Sequence, residues 1–259
     1  MKSAFTRHWP EYGMEALGLG LFMLSANGFA VLLFHPASPV VIGEGVVGRV
    51  FMGAAMGLTA VALIYSPWGQ RSGAHFNPAV TLTFLRLGKI ASWDAAFYIA
   101  AQFAGGTAGA LLAAAIGPSF VADASVHYVV TVPGAGGSLV ALVAEMVIAF
   151  GLMTVMLASA NHPRLMRYTG LFAGTLVATY IAAEAPLSGM SMNPARTFAS
   201  AVPAFEWTAY WLYAIAPPLG MLLAAEIYVR RAPESVRCAK LNHATARRCI
   251  FRCGYAESR

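Results

Sequence analysis

Asn77 and Asn193 are the residues of this 259-residue chain best placed to handle a polar molecule, because both stand in nearly the same setting. The first lies in SGAHFNPAV, which starts at Ser72, and the second in SGMSMNPAR, which starts at Ser188. Asparagine is a preferred helix N-cap, and proline suits the first helical position because the N–H it lacks would have had no partner there. Each box, Asn77-Pro78-Ala79 and Asn193-Pro194-Ala195, is therefore predicted to open a helix. The asparagine oxygen would bond the helix's own N–H and leave its NH₂ to donate outward. A helix N-terminus carries about half a positive charge, so two such ends facing each other would repel cations and protons while accepting a neutral molecule with an acceptor oxygen.

Four other side chains belong to the same argument. Arg196 follows the second box directly and is predicted to lie within a re-entrant loop rather than to reach out along the surface. Glu15 and Glu145 fall inside apolar segments, where a charge is costly and usually has a task. One reading of the pair is a proton relay. The other is that each carboxylate accepts loop N–H groups that would otherwise be unpaired, and the lack of a chain of relay partners along the spans favours this support role. His75, two residues before Asn77, has a similar choice between proton switch and structural hydrogen-bonder, and the structural role is preferred.

These residues need elements to hold them. The chain is 58% hydrophobic and 11% charged with a mean hydropathy of +0.64, against about 25% charged residues in soluble domains. It reads as an all-α membrane protein. Six apolar stretches approach the roughly 20 residues that a spanning helix needs: about 15–34, 46–65, 93–116, 139–160, 168–185 and 208–229. The first is read as a retained helix, since no small-residue cleavage site closes it. Of the 17 Lys and Arg residues, all but Arg49 and Arg196 fall on one side of these spans, so both termini are predicted to be cytoplasmic. The net charge of +6 is then a topology signal and no nucleic-acid partner is expected. Each half of the chain, about 14–116 and 138–230, has three spans with one Asn-Pro-Ala loop between its second and third. Three spans per half force the halves into opposite orientations, which makes an inverted repeat. The apolar run after each box is too short to cross, so each is predicted to be a re-entrant half-helix, and the two would meet N-terminus to N-terminus near the midplane.

Paired Asn-Pro-Ala boxes in an inverted six-span repeat, the second extended by Arg196 and the first preceded by Ser-Gly-Ala-His, resemble the aquaporin, or major intrinsic protein, family over about residues 10–230. The resemblance implies a homotetrameric plasma-membrane or bacterial inner-membrane channel for water, with small neutral solutes as further candidates and protons and ions excluded. It gives Asn77 and Asn193 the central donor role, Arg196 a place in the outer constriction, and Glu15, Glu145 and His75 the support of the loops. The other constriction positions map to Met190, Ile181 and either Met56 or its neighbour Gly57. Water-specialised members look like Phe, His and a small residue there, and glycerol facilitators like a Trp/Phe pair, so this filter matches neither. Thr197 stands where glycerol-conducting members resemble an Asp, and Ala201 and Tyr213 also look like the water type, whereas Ala214 fits neither pattern. The balance favours water, with a glycerol, urea or metalloid facilitator as the alternative.

Residues 1–13 are assigned as a cytoplasmic N-terminus and 231–259 as a basic cytoplasmic tail. Cys238, Cys249 and Cys253 lie in that tail, where reduced thiols are the default. With His243 they lack the Cys pair and matched His pair of familiar metal motifs, so no metal site and no cofactor is predicted. The tail is expected either to contact anionic lipid through its arginines or to be disordered. An enzyme is disfavoured because no nucleophile–base constellation stands in the spans, and a coupled transporter because the midplane offers amides and one arginine rather than ion-coordinating groups. A structural membrane protein with a closed pore remains the alternative of another class.

Overall fold

Pro67, Pro78, Pro118 and Pro194 open helices and Gly73, Gly117 and Gly189 follow helix ends, whereas Pro10, Pro203, Pro217 and Pro218 lie inside helices. The computed structural model describes residues 1–231, 236–243 and 247–255. The main helices are α1 (Lys2–Phe34), α2 (Val46–Tyr65), α3 (Pro67–Ser72), α4 (Pro78–Arg86), α5 (Ser92–Ile116) and α6 (Pro118–Val121). The second half follows with α7 (Gly137–Ala160), α8 (Thr169–Ala183), α9 (Ala185–Ser188), α10 (Pro194–Ala204) and α11 (Tyr210–Arg231). Among the described residues there is no β-strand. This is the all-α architecture expected, with α4 and α10 as the two short helices that begin at Pro78 and Pro194.

The helices pair as the repeat requires. In the first half α1 packs along α5, in the second α7 packs along α11, and α2 meets its counterpart α8 across the pseudo-symmetry axis. That central crossing is close because it is built from small residues. A Cβ on Gly57 would lie 2.5 Å from the Gly174 carbonyl oxygen, and one on Gly174 would lie 2.6 Å from that of Gly57. A Gly57→Leu exchange is therefore expected to push α2 off α8 and cost at least about 1–3 kcal/mol, the usual penalty of overpacking. Thermal unfolding in detergent, compared with a Leu58→Ala control at an exposed position of α2, tests this.

Two boundaries differ from expectation. Helix α1 begins at Lys2 instead of Glu15, so residues 1–13 are continuous with the first span. The added turns are held by long-range contacts that no local pattern announces. The Tyr12 hydroxyl donates to Asp94 Oδ1 at 2.6 Å, His8 Nδ1 lies 2.8 Å from the same oxygen, and Phe5 packs on Phe97 with ring centroids 5.3 Å apart. Helix α8 is only 15 residues, about 22 Å of rise against a hydrocarbon core of about 30 Å, while five other helices are long and apolar enough to cross. The one-turn helix α9 and a 3₁₀ turn at Met166–Tyr168 continue α8 on its two sides.

The tail departs furthest from expectation, because its described residues dock on the protein. Leu241 N–H donates to the Gly73 carbonyl at 3.1 Å, Arg252 N–H to that of Lys89 at 2.9 Å, and Arg237 N–H to Asn161 Oδ1 at 2.7 Å. The segment thus bridges the loop before α4, the loop after α4 and the turn after α7. Arg248 reaches α1, with Nη2 donating to the Arg7 carbonyl at 3.0 Å.

Candidate pore

The two boxes cap their helices as the sequence implies. Asn77 Oδ1 accepts from Ala79 N–H at 2.8 Å, and Asn193 Oδ1 accepts from Ala195 and Arg196 N–H at 3.1 and 3.2 Å. The amide nitrogens do something the sequence did not reveal. Asn77 Nδ2 donates to the Met192 carbonyl at 2.7 Å, and Asn193 Nδ2 donates to the Phe76 carbonyl at 2.8 Å. Each asparagine thereby ties its own helix to the residue preceding the opposite one. An amide NH₂ carries two hydrogens, so one per asparagine is spent on this tie and one remains. The expectation of wholly free NH₂ groups is corrected to that extent.

The loops that deliver these caps have an unusual backbone, and they have it twice. Gly73, Ala74 and Phe76 take positive φ angles of 97°, 57° and 45°, and their counterparts Gly189, Met190 and Met192 take 77°, 52° and 54°. Left-handed backbone at a non-glycine residue costs about 1–3 kcal/mol and persists only where surroundings enforce it. The enforcing groups are the two buried carboxylates. Glu15 accepts from Ser72 Oγ at 2.7 Å, His75 N–H at 3.1 Å, Phe76 N–H at 2.6 Å and Gln102 Nε2 at 2.8 Å. Glu145 accepts from Ser188 Oγ at 2.7 Å, Ser191 N–H at 2.6 Å and Met192 N–H at 2.7 Å. Every partner donates, so both carboxylates act as acceptors of loop groups, and this geometry favours support over a relay.

Sequence reasoning missed several members of this framework. Tyr98 donates to the Ser72 carbonyl at 2.7 Å and Tyr213 to the Ser188 carbonyl at 2.5 Å, so these two tyrosines of α5 and α11 are repeat mates. Their common position one helix beyond each box was the available signal. His75 and Ser191 are also mates: His75 Nδ1 lies 3.0 Å from Thr81 Oγ1, and Ser191 Oγ lies 2.5 Å from Thr197 Oγ1. The shared task favours a hydrogen-bonding role for His75. Its second nitrogen, Nε2, donates to the Ala239 carbonyl of the tail at 2.9 Å, which requires Nδ1 to accept from Thr81.

All of this surrounds a cavity of about 470 Å³ that runs between the two loops. Asn77, Asn193 and His75 are on its wall, and so are Met56, Ile181, Met190 and Arg196. Of the two candidates on α2, Met56 lines the cavity, while Gly57 is turned into the α2–α8 crossing. Arg196 is half-buried and donates through Nη1 to Thr131 Oγ1, a loop residue that no pattern singled out. Thr131 is in turn 3.0 Å from Thr197 Oγ1, so the threonine found in place of a carboxylate helps to hold the arginine's partner. The wall therefore combines apolar side chains with a few donors, and the only basic side chains on it are His75, Arg49 and Arg196 among the described residues.

Residues 4–228 match the family described as Major intrinsic protein (MIP). This chain belongs to that family. It is 38% identical over 191 residues to Aquaporin TIP4-4 of Zea mays, covering 72% of this chain and 73% of the relative. It is 34% identical over 235 residues to Aquaporin NIP1-1 of Oryza sativa subsp. japonica, covering 86% and 81%. Its fold is similar to the X-ray structure of the aquaglyceroporin from Plasmodium falciparum, with a TM-score of 0.69 at 19% identity over 87% of this chain and 98% of that one. The MIP chain is accordingly an integral, multi-pass membrane protein.

Proposed function

We propose that this MIP chain is a passive transmembrane channel for water and small neutral solutes that excludes protons and ions. The observation that carries the reading is the pair of Asn-capped half-helices whose N-termini meet in the wall of one cavity. Their facing positive ends oppose a cation at the point where Asn77 and Asn193 still have an N–H each to offer an acceptor oxygen. Arg196 adds a second positive group, with Met56, Ile181 and Met190 forming the rest of the constriction. Because no histidine or aromatic residue stands among these four, the filter is less polar on one side than a water-specialised one. The methionines are also flexible enough to reshape it. That favours some passage of small neutral solutes beside water. No catalytic role is assigned, in keeping with a family of channels, and water passes with no cofactor.

Further parts of the reading follow the family. The chain assembles as a homotetramer in the plasma or bacterial inner membrane, with both termini cytoplasmic and the constriction at Arg196 facing outward. Liposomes that hold the purified protein are expected to shrink in a stopped-flow osmotic jump several times faster than empty ones, with a low activation energy. Repeating the jump with glycerol and urea gradients measures the solute range. Water flux equal to that of empty liposomes, or flux that needs a proton or sodium gradient, would sink the proposal.

A further inference from the structure

The tail holds a second constellation outside the pore. Cys238 Sγ, His243 Nε2, Cys249 Sγ and Cys253 Sγ lie within 4.8 Å of one another, with Cys238 and Cys249 sulfurs 3.5 Å apart and Cys253 Sγ 3.1 Å from His243 Nε2. Zinc–sulfur bonds of about 2.3 Å and zinc–nitrogen bonds of about 2.0 Å in a tetrahedron put neighbouring ligand atoms roughly 3.5–3.8 Å apart. The four atoms are thus at, or a small adjustment from, the spacing that one ion needs. A Cys₃His set requires a single histidine, so the lack of a matched His pair in the sequence is no obstacle once the tail folds back on itself.

The surroundings are those of a built site. Backbone N–H groups of Lys240 and Phe251, each two residues past its cysteine, are placed to favour a thiolate at Cys238 and Cys249. Tyr255 stacks on the His243 ring with centroids 4.7 Å apart and fixes its plane. Lys240 is only 2% exposed and donates through Nζ to the Arg248 carbonyl at 2.6 Å, which fastens the two cysteine-bearing stretches together. Three thiolates and a divalent ion leave one negative charge, and this basic tail supplies the compensating positive ones.

The location gives the site a purpose. Between Cys238 and His243 lie Ala239, whose carbonyl accepts from His75 Nε2, and Leu241, which is part of the cavity wall. Phe251, between Cys249 and Cys253, stacks on the His75 ring at 5.4 Å with an interplanar angle of 13°. We propose that Cys238, His243, Cys249 and Cys253 bind a zinc ion that fastens the tail across the cytoplasmic end of the pore. Metal binding itself is independent of what the pore conducts; the effect on permeation rests on the channel reading above.

The test uses the full-length protein. Metal analysis after incubation with Zn²⁺ and desalting is expected to find one zinc per chain. Co²⁺ in its place is expected to give intense tetrahedral visible bands and a thiolate-to-cobalt charge-transfer band. The Cys249→Ser/Cys253→Ser double variant is expected to bind neither metal above background, while Cys253→His, which keeps four ligands, retains both. In liposomes, chelation of the wild-type protein is expected to raise water permeability severalfold, and added Zn²⁺ to lower it again. Absence of stoichiometric metal, or a Cys238–Cys249 disulfide found by mass spectrometry where metal was expected, overturns the site. Bound metal whose removal leaves permeability unchanged overturns the fastening role. A chain that conducts no water even in chelator overturns the channel reading instead, and metal stoichiometry then still decides the site.

Discussion

Exchanging Glu145 for alanine is expected to lower the stability of the folded chain by on the order of 3–5 kcal/mol and to reduce the yield of assembled protein. Three donors lose their acceptor together: Ser188 Oγ, Ser191 N–H and Met192 N–H. Each buried donor left unpaired costs about 1–3 kcal/mol, and Glu145 is fully buried. The loss falls on a loop whose left-handed Met190 and Met192 already carry strain. Glu145→Gln keeps one acceptor oxygen but turns an NH₂ toward a donor, so an intermediate loss is expected. Thermal unfolding in detergent and the fraction running as assembled protein measure both. A stable, assembled Glu145→Ala chain that has gained or lost coupling to protons would favour the relay instead.

Arg196→Val is expected to change what passes rather than whether the protein folds. The guanidinium is half-buried beside the cavity and held by Thr131. A unit charge about 4 Å from a passing cation, at an effective dielectric near 20, contributes about 4 kcal/mol of repulsion. The exchange removes that repulsion and, on the proposed reading, widens the path beside Met56, Ile181 and Met190. Urea and glycerol uptake should rise severalfold while water flux persists. Proton leak should rise less than the lost repulsion alone implies, because the facing half-helix ends are a second barrier in series. Light scattering for solutes, paired with a pH-sensitive dye in the same vesicles, reads both effects. An unchanged solute range and leak in folded, inserted protein would remove Arg196 from the constriction.

What was legible in the sequence was what local chemistry encodes. Asn followed by Pro fixed the starts of α4 and α10 to the residue, and apolar length located α2, α5 and α7 to within two residues. Glu15 and Glu145 were legible because a charge in an apolar span demands partners. Features set by distant contacts were not. The start of α1 depends on Asp94, the role of Tyr98 and Tyr213 on loop carbonyls, and the tail's path on His75, Gly73 and Asn161. The clustering of Cys238, His243, Cys249 and Cys253 was not legible for the same reason. Linear spacing describes ligands on one turn or knuckle, whereas here a long-range docking surface brings four side chains together.

The crossed asparagine bonds have a consequence for how such a chain comes to be made. Asn77 gives its amide to Met192, and Phe76 offers its carbonyl to Asn193. During synthesis the first box leaves the ribosome long before the second exists. Until then one side chain and one backbone oxygen of the first loop lack their eventual partners, and such groups are expensive in hydrocarbon. The nascent first half must therefore wait, either shielded by other protein or with its re-entrant loop not yet seated. Only when the last two helices arrive do both loops lock, each by way of the other. The halves are obligate companions in assembly, and the conducting path is the last part of the molecule to be finished.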